Sequence, residues 1–478
     1  MKRKGMVAAV LFVCGLAEGA PLQGGLATID ITPPVGWRMS GYFYERLSTG
    51  VHDPLQAKAL ALRQGDERAI LVFCDLIGVP AQVSSGVRNE ASRRTGIPAA
   101  NIMIAATHTH TGPLYYGALR QYFHDKAVRE NGKDPFEAVN YREILEARLV
   151  SLILQANRSL QPIELQVART NLTGLSFNRR YRMRDGSVQF NPGKTNGNVV
   201  QPAGPVNPDL FLIAIKGPRD HPPLGLLTSF ALHPDTTGGT EYGADFPAYL
   251  ERFLKGLVSA PFVSIFANGP CGDINHINVQ DPLPQKGDRE AARIGEALGR
   301  RAMAAFSSLR RIESGSLRVE SGTVDIPLQR YSAAQFTAAQ AKMPKIGGKE
   351  LSFLEQVEAY KIADLQLRNA STLRAEVQAF RLGADTAIVA LPGEIFTELG
   401  LAIKRSSPFR NTVIVELAND SIGYVPTKAA FKEGSYEIIN SRVQPGGGEL
   451  LVKTALGLLR ELSVTSRALS RADEGRIR

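Results

Sequence analysis

Short apolar runs punctuate the chain at intervals, each rich in Ile, Val or Phe and each bounded by Gly, Pro or Asx residues. They are AILVFCD (69–75), NIMIAAT (101–107), LFLIAIKG (210–217), GLLTSFALH (225–233), FVSIFANG (262–269), TAIVALPGE (386–394) and TVIVELAND (412–420). Runs of this length and composition predict buried strands. Helical periodicity lies between them. Leu145, Leu149, Leu152 and Ala156 share one face, as do Ile294, Leu298, Ala302, Ala305 and Phe306. The alternation predicts an α/β fold of mixed β-sheets flanked by helices. Residues 317–385 break the rhythm. LRVESGTVDIPLQR predicts an exposed strand pair, and residues 352–383 a charged helical region. No Pro/Ser-rich linker sets this segment off, so it is expected to elaborate a single domain covering 21–478.

The first twenty residues read differently. Lys2, Arg3 and Lys4 precede an apolar stretch from Met6 to Leu16, and small residues follow. This is the layout of a secretory signal peptide, and the stretch is short for a membrane span. The expectation is export to the periplasm or the extracellular space. Lipid attachment at Cys14 is disfavoured by the bulky Val13 before it. Composition is that of a globular protein, 44% hydrophobic and 21% charged. The net charge of +10 includes the three N-terminal positives and is otherwise dispersed. No basic stripe with interleaved aromatics exists, which argues against nucleic acid; contact with an anionic membrane surface stays compatible with the charge. Cys74 and Cys271 are expected to be buried thiols, with one disulfide as the alternative. Oligomeric state is not legible.

Candidate chemistry gathers where the apolar runs end: Asp75, His108, His233, Asp273, Glu394 and Asn419. Strand ends form the active-site rim of open α/β folds. Two of the seven histidines stand in ATHTHTGP. On a strand, residues i and i+2 face the same way, so His108 and His110 are expected to reach one volume. A catalytic zinc takes about three protein ligands and a water, whose pKa it lowers to about 7. His233 is the best further imidazole and Glu394 the best carboxylate. Each also has a plainer reading: a polar strand end, a hydrogen-bonded rim histidine, a carboxylate favouring a helix N-terminus.

Taken together, these motifs resemble the catalytic domain of the neutral/alkaline non-lysosomal ceramidases, zinc-dependent amidases that split ceramide. The resemblance runs from IDITPPVGWRMSGY to LANDSIGYVPT, through ATHTHTGP, FALHPDT, NGPCGDINHIN and LPGEIFTELG in order. It implies one Zn2+ per chain held by His108, His233, Glu394 and Tyr424. It implies that His110 faces the substrate, and that Arg179, in SFNRRY, lies near the reacting carbonyl. It further implies sphingolipid metabolism and attack of zinc-bound hydroxide on an amide, with His110, Tyr424 and Arg179 serving the oxyanion and the leaving amine.

The resemblance breaks at one motif. The family carries a serine in Gly-Asp-Val-Ser-Pro-Asn, whereas this chain reads Gly272-Asp273-Ile274-Asn275-His276. Asn275 donates a hydrogen bond but is no nucleophile. Asp273 is expected to orient neighbours or to cap a turn, and His276 to be structural. With 478 residues in the chain, the C-terminal β-domain of the long ceramidases is not expected after Tyr424. The expected function is an exported zinc hydrolase of a ceramide-like or smaller N-acyl compound. The alternative is a non-catalytic zinc-containing binding protein of the same fold.

Overall fold

The computed structural model describes residues 20–217, 222–258 and 261–474, the last ten by backbone alone. The expected signal segment and Cys14 therefore lie outside the described residues, save Ala20. Three sheets carry the architecture. The first runs in the order 102–106, 67–74, 56–64, 23–30, 161–162; the second 263–268, 225–230, 209–216, 164–171, 310–311; the third 317–327, 372–382, 386–390, 411–415. Each is mixed, with one parallel pair: 67–74 with 102–106, 225–230 with 263–268, and 386–390 with 411–415.

Both faces of these strands are buried, which explains why the runs are nearly continuous in apolar residues. Ile70, Val72 and Cys74 pack under the helices Ala81–Thr95 and Tyr141–Arg158. Leu71 and Phe73, on the other face, join Phe211, Ile213 and Ile265 of the second sheet and Phe380, Ile388 and Val413 of the third. All three sheets thus turn one face to a shared central core. The outer face of the second is covered by the helices Phe246–Lys255 and Asp288–Ala304, and that of the third by the helix Gly447–Glu474.

The parallel strands bring their carboxyl ends to one place, where three residues lace the sheets together. Asn268 Nδ2 donates to Thr107 O at 3.2 Å. Glu416 N donates to Asn268 O at 3.1 Å, and Asn419 exchanges bonds with the Ile104 backbone, its N to Ile104 O at 2.7 Å and Ile104 N to its Oδ1 at 2.9 Å. Asn419 is therefore a pin between sheets.

Residues 317–385 differ from the sequence expectation. There is one long strand, Leu317–Pro327, paired along its length with Thr372–Leu382, and only Phe353–Arg368 is helical in the charged segment. Asn369 adopts φ 45°, a left-handed cap that ends the helix. Beyond it Ala375, Val377 and Ala379 point alternately into the core, a period of two. Cys74 and Cys271 are both free and buried, as the thiol reading expects. Among the described residues no helix is long and apolar enough to cross a membrane.

Candidate metal centre and active site

Five loops at the carboxyl ends of the core strands build the site. His108 does not sit on a strand, because the strand stops at Ala106. The same-face argument for His108 and His110 therefore fails in its premise. The chain instead turns through His108 at φ 77°, a left-handed conformation costly for a residue with a Cβ. The turn still converges the two rings, whose centroids lie 5.1 Å apart.

His233 joins them. Its Nε2 lies 3.0 Å from His108 Nε2 and 3.1 Å from His110 Nε2. His108 Nδ1 donates to Ile77 O at 2.7 Å, and His233 Nδ1 donates to Cys271 O at 3.3 Å. Since a carbonyl only accepts, each Nδ1 carries a proton, which leaves the two Nε2 atoms, turned toward each other, as the atoms available to a metal. Glu394 Oε2 completes the group, 3.4 Å from His108 Nε2, buried and without a hydrogen-bond partner. Acceptors this close and unpartnered suit a cation between them.

The electrostatics follow. Burial, with His108 nearby, pushes the His110 imidazole down to about 3; burial and Arg179 push His233 well down. Both rings are neutral at neutral pH. His108 is raised: burial opposes its charge, but Glu394 outweighs burial. Glu394 is correspondingly lowered by His108 against its own burial.

Tyr424 pairs in register with Glu394 across the two-residue strands Glu394–Ile395 and Tyr424–Val425. Arg179 Nη2 donates to Tyr424 Oη at 3.0 Å and to Gly272 O at 2.9 Å, while its Nε donates to Glu437 Oε1 at 2.8 Å. Arg179 is buried at 2% exposure, so it is no surface ion-pair residue. The site thus brings His108, His110, His233, Glu394, Tyr424 and Arg179 together.

The Gly272–His276 segment contributes differently. Gly272 lies so near the metal-side strand that a Cβ there would meet Glu394 O at 2.5 Å, which only glycine avoids. Asp273 is spent on packing, accepting from Thr397 N at 2.7 Å and Asn178 Nδ2 at 2.9 Å. Asn275 is fully buried, its Nδ2 on Asn191 Oδ1 at 3.3 Å and its Oδ1 accepting from Ile277 N at 3.0 Å. His276 sits between Asp235 and Gln285 O, in keeping with a structural role. Asp75 caps strand edges through Gln56 N and Thr107 Oγ1.

Sequence reasoning missed Glu416. It was hidden in the apolar run VIVELA and is fully buried. Its Oε2 accepts from Cys271 N at 3.1 Å and Ile395 N at 2.8 Å, and Cys271 Sγ donates to its Oε1 at 2.7 Å. One carboxyl thereby holds the loop whose carbonyl orients His233 and the strand that carries Glu394. Burial pushes its pKa up to about 8. The sole signal in the sequence was an acid where a buried strand should have none.

A cavity of about 150 Å³ opens on the cluster, lined on one side by His108, His110, Glu394 and Tyr424 and on another by Phe43, Leu114, Leu119 and Tyr360.

Comparison with known proteins agrees with this architecture. The chain is 22% identical over 292 residues to neutral ceramidase A of Dictyostelium discoideum, an alignment taking in 57% of this chain and 38% of that protein. It is 26% identical over 268 residues to a neutral ceramidase of Mycobacterium tuberculosis, across 52% of this chain and 39% of the relative. The matches therefore span about two fifths of the curated relatives' length. Among solved structures, neutral ceramidase from Pseudomonas aeruginosa superposes with a TM-score of 0.72 at 18% identity, covering 94% of this chain and 75% of that one. A ceramidase complexed with C2 gives 0.69 at 17% identity, with 94% and 76% covered; both show the shared fold. The family model for the N-terminal region of neutral/alkaline non-lysosomal ceramidases matches residues 23–285, which include His108, His110, Arg179 and His233. With more than half of its length matched, the chain belongs to the neutral/alkaline non-lysosomal ceramidase family.

Proposed function

We propose that this protein is an exported, zinc-dependent hydrolase of the amide bond of a ceramide-like or smaller N-acyl compound. One observation carries the reading. Two imidazole Nε2 atoms, each with its proton tied to a carbonyl on the other nitrogen, face one another at 3.0 Å beside an unpartnered buried carboxylate oxygen. His108, His233 and Glu394 would hold the metal, with Tyr424 beside them. A zinc ion bound there supplies Lewis acidity and an acidified water at neutral pH.

The rest of the chemistry belongs to the chain. His110 is half-buried, neutral and within hydrogen-bonding reach of the cluster, so it is suited to pass a proton to the leaving amine. Arg179, charged and fixed by Glu437, polarises the Tyr424 phenol, which supports an oxyanion in the cavity. The apolar wall of Phe43, Leu114, Leu119 and Tyr360 excludes water and suits an acyl chain. The basic-then-apolar N-terminus supports export.

The second reading, a non-catalytic zinc protein, is favoured by Asn275, which stands where the family has serine and has both ends of its amide engaged. Metal analysis combined with turnover of a short-chain fluorescent ceramide and N-acylethanolamines separates the two. The expected result is one zinc per chain and amide cleavage that His110→Ala removes without loss of metal. Bound zinc with no cleavage of any amide would favour the binding protein.

A further inference from the structure

The far wall of the cavity is charged. The helix Phe353–Arg368 runs along it, presenting Tyr360, Asp364 and Arg368 to the cavity at intervals of four residues. At 1.5 Å rise per residue, apolar Phe353 and charged Arg368 stand roughly 22 Å apart along the axis. The helix therefore changes character along its length. Its N-terminal end packs Phe353 edge-on against Phe43 and tilted against Tyr436, with ring centroids 5.9 and 5.3 Å apart. Its C-terminal end meets Arg442 from the Asn440–Arg442 loop.

Asp364 Oδ2 accepts from the Nε of both Arg368 and Arg442, each at 3.0 Å. Arg442 spends Nη1 on Asn440 O at 2.8 Å and Asn440 Oδ1 at 2.9 Å. The two terminal nitrogens of Arg368 make no hydrogen bond among the described residues, although its side chain is only 28% exposed. Asp420 interacts with Arg368 electrostatically but without a hydrogen bond, its Oδ1 accepting from Ala81 N and Ser421 N. Two guanidiniums aligned by one shared carboxylate, with a fork of donors left over, match a planar anion. Neutral hydroxyls have no need of such a pair.

Resting on the amide-hydrolase reading of this site, we infer that its preferred substrate is an N-acyl amino acid or a related acyl amide whose amine half carries a carboxylate, received by Arg368 beside Arg442, with the acyl chain against the aromatic wall. The test uses the zinc-loaded full chain and N-dodecanoyl derivatives of glycine, β-alanine and γ-aminobutyrate, each against its neutral carboxamide. Charge-assisted hydrogen bonds of this kind are worth about tenfold or more in kcat/KM. The carboxylate forms are expected to lead by that factor, and Arg368→Gln to shrink the lead by about tenfold. Equal or faster cleavage of the carboxamides, or a lead untouched by R368Q, would overturn the inference. If no amide is cleaved, the hydrolase reading fails instead. Calorimetric binding of N-dodecanoylglycine and its carboxamide then decides this one. Tighter carboxylate binding that R368Q removes sustains the anion site, and equal binding sinks it. A melting curve of R368Q checks its folding, and the comparison of substrates on the unaltered chain stands without it.

Discussion

Among the described residues two clusters gather histidine with other potential metal ligands, and they are not equivalent. One is His108, His110 and His233 with Glu394; the other is His124, Asp134 and Glu137. By residue type both offer metal-ligating atoms, the His124 cluster through two carboxylates and an imidazole. Its donors are spent. Arg38 Nη1 lies 2.6 Å from Asp134 Oδ2 and 3.4 Å from Glu137 Oε1, and Arg120 pairs with both oxygens of Glu137. His124 Nδ1 lies 2.9 Å from Asp134 Oδ2. In the His108 cluster the ligand atoms point inward, and among the described residues no lysine or arginine pairs with them. A metal centre is recognised by unsatisfied acceptors, and a charge network by satisfied ones.

The largest test of that contrast is ligand removal. His233→Ala is expected to abolish zinc binding and amide cleavage together, while His124→Ala leaves the zinc content at its original value; elemental analysis of purified protein reads both. Zinc lost equally in the two variants would erase the distinction. Next comes Asp134→Asn. It leaves Arg38, which is fully buried, short of its closest counter-charge. The expected cost is about 3 kcal/mol in urea unfolding with no loss of zinc.

Glu416→Gln sharpens the comparison from the other side. The amide keeps the shape but offers a single acceptor oxygen to the three donors around the carboxyl. Zinc affinity is expected to fall by roughly 10–100-fold, the usual effect of disturbing a group that orients ligands. Competition with a chelator measures it; unchanged affinity would reduce Glu416 to packing.

The smallest effect is in pH. Burial works to raise Asp134, but Arg38 outweighs it and holds the carboxyl below its ordinary 3.8. A depressed carboxyl stabilises the fold above its unfolded pKa, and that contribution fades as pH falls through the folded value. The penalty of D134N is therefore expected to be constant near neutrality and to shrink below about pH 4. A penalty independent of pH would show that the charge of Asp134 is not what Arg38 needs.

The sequence made the His108 cluster legible because its parts stand at the ends of apolar runs, where a polar residue is conspicuous. His108, His233 and Glu394 each announce themselves this way. Tyr424 and Arg179 entered only through the family resemblance, since a tyrosine or one arginine among three carries no such contrast. Glu416 was invisible for the opposite reason: it lies inside an apolar run, and the pattern there speaks of burial only. The strand and helix types of the core were also legible. The exception was Thr372–Leu382, where alternation follows directly on a helical stretch and the boundary rests on one left-handed asparagine. The His108–His110 convergence was expected for the wrong reason. A strained turn achieves what strand geometry was expected to do.

The lacing of the three sheets by Asn268, Glu416 and Asn419 has a kinetic consequence. Each lace joins elements distant in sequence, so none can open by fraying of one hairpin. Their amides are expected to be among the slowest to exchange hydrogen, and a metal held between those strand ends can leave only by direct dissociation or when the whole fold lets go.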